Sequence, residues 1–312
     1  MLTIDILFAK EYDLMHISAH LGLPPGHSHF PFVDITTRSD TRLFLDPCLI
    51  ERSQDDFSRY AAALISDFED KLYWDMRHGH WGCTAVFDEA HEINDTKLGY
   101  GTGYNGKGKT PHGMRDSLSG LCKLANNIPS ISRIQDISIF VEDFAEDCMS
   151  DLLTNILRLP LSQFTAELMR TYDKTPTSKH IIKSWDLHAH SWVETEQPYW
   201  TVTGQKILLV PKWWVRKNFL FKAHQYLYGV IIERMKMEPG YENLTKIDVW
   251  KNMECDFEHW EYAKVIEYTQ RHPDALSDYH TRIPKYYNRS AGCMDDNDLD
   301  QAVYGRLISE IA

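Results

Sequence analysis

Between residues 57 and 72 the apolar side chains Phe57, Tyr60, Leu64, Phe68 and Leu72 recur at steps of three and four. Only a helix turns that spacing into one continuous apolar face, so a long amphipathic helix is predicted from a Ser53 cap to about His78. Its face has to be covered by something. Strand signals stand just before it, at His29–Thr36 (HFPFVDIT) and Arg42–Asp46 (RLFLD), and the polar residues 37–41 between them predict a hairpin.

Further along, a short helix is expected from about Met114 to Ala125 and a buried strand over Ile137–Val141. Helices follow at about Ala145–Arg158 and Ser162–Tyr172, separated by Pro160, which breaks a helix interior. Tyr199–Val202 and Lys206–Val210 flank Thr203-Gly204 and predict a second hairpin. Three more helices are expected at about Lys217–Met237, Asp256–Arg271 and Leu299–Ile311. The fold class that results is α+β: a small mixed or antiparallel sheet with flanking helices and a helical C-terminal third. A boundary near Pro239-Gly240 divides a core domain, 1–238, from a helical region, 239–312, packed on it.

Composition narrows the function classes. With 43% hydrophobic and 25% charged residues the chain is globular rather than disordered. A net charge of −12 disfavours binding driven by nucleic-acid phosphates in general, leaving room only for a local basic groove. No apolar run approaches the roughly 20 residues of a membrane helix. The N-terminal MLTIDILFAKEYD has neither basic region nor cleavage site, and the six cysteines include no C-x-x-C pair. A cytoplasmic chain with reduced thiols, no membrane association and no thiolate zinc cage is expected.

Gly103–Thr110 (GYNGKGKT) fits the phosphate-loop pattern, with Gly103, Gly108, Lys109 and Thr110 in the nucleotide-binding positions. Its context does not fit. A phosphate loop needs a buried strand before it and a helix opening at the Lys-Thr, whereas KLGYGT precedes it and Pro111 and Gly113 follow. DEAH at 88–91 stands before the loop rather than after it, which excludes a helicase. Ile137–Asp143 (ISIFVED) is a better acidic partner by order. HEIND lacks the second histidine of a zinc protease, Asp95 standing in its place.

Three H-x-H pairs, His27/His29, His78/His80 and His188/His190, can each offer two imidazoles to a metal on a strand, but 15 histidines give roughly 0.7 such pairs by chance. The carboxylates carry more chemistry. Asp34 and Asp46 sit in the predicted hairpin, where an acidic group in apolar surroundings needs a partner or a cation. The favoured alternative, since alternation turns half of a strand's residues outward, has Asp34 facing solvent, Asp46 capping the turn at Pro47 and the other carboxylates solvated. Glu92 and Asp95 lead into the Gly-rich segment. On 147–158 (DCMSDLLTNILR), Asp147, Asp151 and Asn155 share one helix face at i, i+4 and i+8, opposite Leu152, Leu153, Ile156 and Leu157. An amphipathic helix and the lining of a cleft both account for that pattern. Lys212–Lys222 (KWWVRKNFLFK) is the one basic, aromatic strip, with Lys212, Arg216 and Lys217 as phosphate contacts and Trp213 and Trp214 for stacking, or else in the core.

RLFLDP at 42–47, EINDTKLGYG at 92–101, DCMSDLLTNILR at 147–158 and KILLVPKWWVRK at 206–217, in this order, resemble a family of bacterial proteins with no assigned activity. The resemblance spans roughly residues 30 to 220. It implies a Gly-rich basic loop without a required GKT, which moves attention from Gly103–Thr110 to Glu92, Asp95 and the loop glycines.

Two functions from different classes follow. One is a metal-dependent hydrolase acting on phosphodiesters, such as a nuclease effector in bacterial defence, using Mg²⁺ or Mn²⁺. Its metal ligands are Asp34, Glu92 and Asp151, its further catalytic carboxylates Asp46 and Asp95, and Lys212 its phosphate clamp. The other is a non-catalytic sensor, adaptor or scaffold bound to a protein partner or a second copy; an outward-facing Trp213/Trp214 pair is its signature. A nucleotide-binding protein using Gly103–Thr110 comes third.

Overall fold

The computed structural model describes residues 16–80, 86–89, 91, 93–100, 111–142, 144–289 and 293–305. The architecture is α+β. The long predicted helix is present as Asp56–Arg77 (α3), preceded by α1 (Ile17–Leu21) and α2 (Pro47–Arg52). Its cap is Asp55 rather than Ser53: the Asp55 carboxylate accepts from Ser58 N and Ser58 Oγ at 2.8 and 2.7 Å. Leu64, Phe68 and Leu72 are fully buried as the spacing requires, whereas Tyr60 points out. Phe57 is partly buried and stacks on Trp214 with ring centroids 4.9 Å apart.

The predicted N-terminal hairpin does not form. Phe44–Leu45 (β1) pairs antiparallel with Val215–Arg216 (β5), 170 residues away. Residues 32–33 run extended against 210–211, with Val33 N donating to Val210 O at 2.9 Å. Both apolar segments therefore find partners far along the chain instead of each other. The second hairpin is present and longer than its signal. Ser178–Asp186 (β2), Ser191–Val202 (β3) and Gln205–Ile207 (β4) form an antiparallel sheet in that order. Thr203 and Gly204 both have positive φ, 50° and 80°, as a two-residue turn between twisted strands demands.

Helix α4 (Pro111–Ser117) leads into α5 (Ser119–Asn127), which covers α3. Residues 137–141 are not a strand. They lie largely in the short helix α6 (Asp136–Phe140), all five of whose residues are buried, so the sequence shows no alternation to identify it. Glu146–Ile156 (α7) and Arg158–Thr171 (α8) follow; Pro160 stands in the first turn of α8, where its missing N–H costs no helical bond. The C-terminal third is helical. A continuous helical stretch 223–235 (α9) carries one π turn at Leu227–Ile231, followed by α10 (Lys246–Met253), α11 (Trp260–Arg271), α12 (Asp274–Arg289) and α13 (Asp296–Tyr304). In the π turn a Cβ on Gly229 would stand 2.6 Å from Tyr286 Oη, so glycine lets α12 approach there. One hydrophobic cluster runs from Ile17 to Tyr304 and includes Val249, Val265 and Leu276 of the C-terminal helices. No helix among the described residues is long and apolar enough to cross a membrane.

Candidate functional site

Asp34 and Asp46 are fully buried, in two separate polar clusters that join residues of the 16–48 stretch to the helices α13 and α12. Asp34 accepts from Ser18 N (2.8 Å), Ser18 Oγ (2.6 Å) and Tyr304 Oη (2.6 Å). Its own N–H donates to His27 Nε2 at 3.1 Å, so the His27 proton is on Nδ1, which donates to Asp300 Oδ1 at 2.7 Å. Burial lowers the His27 pKa against the opposing pull of Asp300, and the ring is neutral. Lys212 joins the same cluster: its ammonium donates to His27 O (2.5 Å) and Asp296 Oδ1 (2.6 Å). These groups tie α13 to the first described residues.

Asp46 caps α2, accepting from Cys48 N at 2.8 Å and from Tyr287 Oη at 2.6 Å. Burial raises its pKa to about 6 despite those donors and the nearby Arg216. The basic aromatic strip is largely taken up by the fold. Trp214 is buried and Trp213 partly so, and both indoles donate to Ser58 Oγ. Arg216 lies over the Tyr287 ring at 5.3 Å, and only Lys217 of the three cations is fully exposed.

Asp95 and Asp151 lie elsewhere, on two elements that pack together. The polar face of α7 is covered by segment 91–100. Asn155 Nδ2 donates to His91 O at 2.6 Å. At the other end Gly99, with φ of 144°, passes so close that a Cβ would stand 2.9 Å from Asp147 Oδ1. Asp151, partly buried, lies between Asp147 and Asn155 on that face. Asp95, in the short turn Asn94–Thr96, accepts from Tyr199 Oη and lies 3.8 Å from Arg158 Nη2. Burial, then the Asp95 charge, pushes the Tyr199 hydroxyl far above its ordinary pKa, so it stays a donor. Among the described residues two polar atoms here have no partner: Asn155 Oδ1, on a residue 99% buried, and Arg158 Nε.

Where the segment turns away, Tyr100 donates to Glu146 Oε2 at 3.1 Å and Lys222 pairs with Glu146 Oε1. Burial pushes the Glu146 carboxyl up, but the Lys222 ammonium outweighs it and leaves the pKa below its ordinary value. Glu92, Gly103, Gly108, Lys109 and Thr110 lie outside the described residues. Among the described residues no group of three or more His, Cys, Asp or Glu side chains is placed to hold a metal ion, the three H-x-H pairs included. His78 stacks on Trp74, and His190 bonds Asp67.

Sequence reasoning missed Arg158, Tyr199 and the Asn155 carbonyl as members of this arrangement. Asn155 had a signal, its place on the i, i+4, i+8 face; Arg158 and Tyr199 had none, because Asp95 reaches them only through tertiary contacts. The four stretches 42–47, 92–101, 147–158 and 206–217 all fall within one family match. No curated protein and no solved structure matches the chain. The model of a family described as a domain of unknown function (DUF8370) matches residues 22–222, more than half of the chain, and the chain belongs to that family.

Proposed function

We propose that the chain is a metal-dependent hydrolase of phosphodiesters, with its reaction centre on the polar face of α7 and the 91–100 segment laid across it. The observation that carries this is the buried, unpartnered Asn155 Oδ1 on a helix face that also presents Asp147 and Asp151. A buried amide oxygen without a donor costs about 1–3 kcal/mol, and it is retained where something else supplies the donor. Mg²⁺ and Mn²⁺ keep several waters and are commonly held by one or two carboxylates together with substrate phosphates, so Asp147 and Asp151 suffice as the protein's share. Such an ion supplies charge for the phosphoryl oxygens and a more acidic bound water.

The chain's own residues do the rest. Arg158, oriented by Asp95, has Nε free to donate to a phosphate oxygen. Tyr199 stays protonated and holds Asp95 in place. Asn155 Oδ1 would accept a hydrogen bond from water brought to the site and so orient it. Asp34, Asp46 and Lys212, bonded within their own clusters, take no part.

Calorimetric titration of Mn²⁺ into the protein tests this. Saturable binding that weakens at least tenfold in Asp151→Asn and Asp147→Asn, but is unchanged in Asp46→Asn, is expected. Binding that ignores both α7 substitutions, or no binding at all, sinks the proposal.

A further inference from the structure

A second concavity, away from α7, opens between α2, α3 and the turn before α6. It is a cleft of about 430 Å³, walled on its apolar side by Pro47, Ala62 and Ile65. Glu69 and Gln135 form its polar side. Glu69 Oε2 accepts from Ile134 N at 2.8 Å. Gln135 donates its amide nitrogen to Cys48 Sγ at 3.4 Å, which leaves Oε1, on a residue 96% buried, without any partner. The wall therefore offers Gln135 Oε1 and the Glu69 carboxyl as acceptors, with the Ser66 hydroxyl beside them. Its one cation, Arg133, stands at the rim 3.8 Å from Glu51, which answers its charge.

We propose that this cleft binds a small organic cation, a primary ammonium or guanidinium group on an aliphatic body, with Glu69 and Gln135 as its acceptors. The charge balance around Glu69 points to that ligand class. From α2 it faces Glu51; from the turn and α6 it faces Arg133 and Asp136, the latter bonded to His280 at 2.6 Å; on its own helix lies Tyr73. Two carboxylates against one guanidinium repel an anion and welcome a cation. Burial, then Asp136 and Glu51, raise the Glu69 pKa to about 8, so without a ligand its charge is balanced by a proton. An incoming cation takes that place: Glu69 releases its proton to solvent and pairs with the ligand, while a second ligand N–H reaches Gln135 Oε1. An inorganic ion is a poorer occupant, because Pro47, Ala62, Ala63 and Ile65 line one side and no three-ligand group stands there among the described residues.

The test compares n-butylguanidinium with its neutral isostere n-butylurea, by titration calorimetry of the full chain at several pH values. Butylguanidinium affinity should rise about tenfold per pH unit up to about pH 8 and level off above it, because each bound cation displaces one proton. Butylurea should bind at least tenfold more weakly at pH 8.5. Glu69→Gln keeps an acceptor for Ile134 N and should fold, as its unfolding midpoint will show; it should weaken butylguanidinium at least tenfold at pH 8.5 and erase the pH slope. Gln135→Leu should weaken binding and keep the slope. No butylguanidinium binding by wild type at millimolar concentration, equal binding of the urea, or an affinity that falls with rising pH would each overturn the proposal.

Discussion

Tyr304→Phe removes one hydroxyl near the C-terminal end of α13 and is expected to destabilise the whole chain. That hydroxyl donates to the fully buried Asp34 carboxylate at 2.6 Å and accepts from the buried Gly26 N–H at 3.3 Å. Losing a hydrogen bond to a charged group costs about 1.5–3 kcal/mol, and the stranded amide about 1 more. The expected total is about 2–4 kcal/mol, a fall in unfolding midpoint of about 4–12 °C for a chain of this size. Asp34→Ala strands Ser18 N, Ser18 Oγ and Tyr304 Oη together and should cost about 3–5 kcal/mol. Because the two side chains touch, the double variant should cost less than the sum by at least about 1 kcal/mol. Thermal unfolding followed by circular dichroism, with urea titration of the same four proteins, reads this. A Tyr304→Phe midpoint within a degree of wild type, or strict additivity, refutes the account of the cluster.

Asp46 gives a pH signature. Its pKa is about 6 in the fold against an ordinary 3.8, so the folded chain holds the proton more tightly; this stability is fully present below pH 3.8 and is lost as pH rises through 6. The difference is about 3 kcal/mol, and Asp46→Asn, which retains a cap oxygen for Cys48 N, should remove that part of the slope in midpoint-versus-pH curves. Gly99→Ala should destabilise by about 1–3 kcal/mol, since its φ of 144° suits glycine alone and the new Cβ would press on Asp147. Ile181→Lys, at a side chain 70% exposed on β2, should change stability by less than about 0.5 kcal/mol in urea unfolding.

The helical skeleton was legible where one face is buried and the other wet. α3 and α7 announce themselves by spacing, and the β3–β4 turn by Thr203-Gly204. Legibility failed where burial is all-round or pairing is remote. α6 reads as a strand because Ile137, Ser138, Ile139 and Phe140 are all buried. β2 carries Lys179, His180 and Lys183 and leaves Ile181 exposed, so SKHIIKSWD shows no strand pattern until β3 lies beside it. Residues 29–36 and 42–46 are apolar and extended, but nothing local says that their partners are at 210–216. The candidate site divides in the same way. The α7 face could be drawn from sequence, whereas its cover by residues 91–100 rests on contacts 46 to 64 residues apart, such as Asn155 to His91 and Tyr100 to Glu146. Strand alternation favours an outward-facing Asp34, yet it is fully buried, while Asp46 does cap the turn at Pro47 as expected; their partners, Tyr304 and Tyr287, lie 270 and 241 residues away and were invisible.

The most direct test of the central claim is hydrolysis of bis(p-nitrophenyl) phosphate by the purified chain with Mn²⁺, beside a chelator control and the folded variants Asp147→Asn, Asp151→Asn and Arg158→Ala. The account predicts Mn²⁺-dependent turnover that falls at least a hundredfold in each aspartate variant, and less steeply in Arg158→Ala, with unfolding midpoints close to wild type. Turnover that survives the loss of both α7 carboxylates, or that the chelator does not touch, would contradict it.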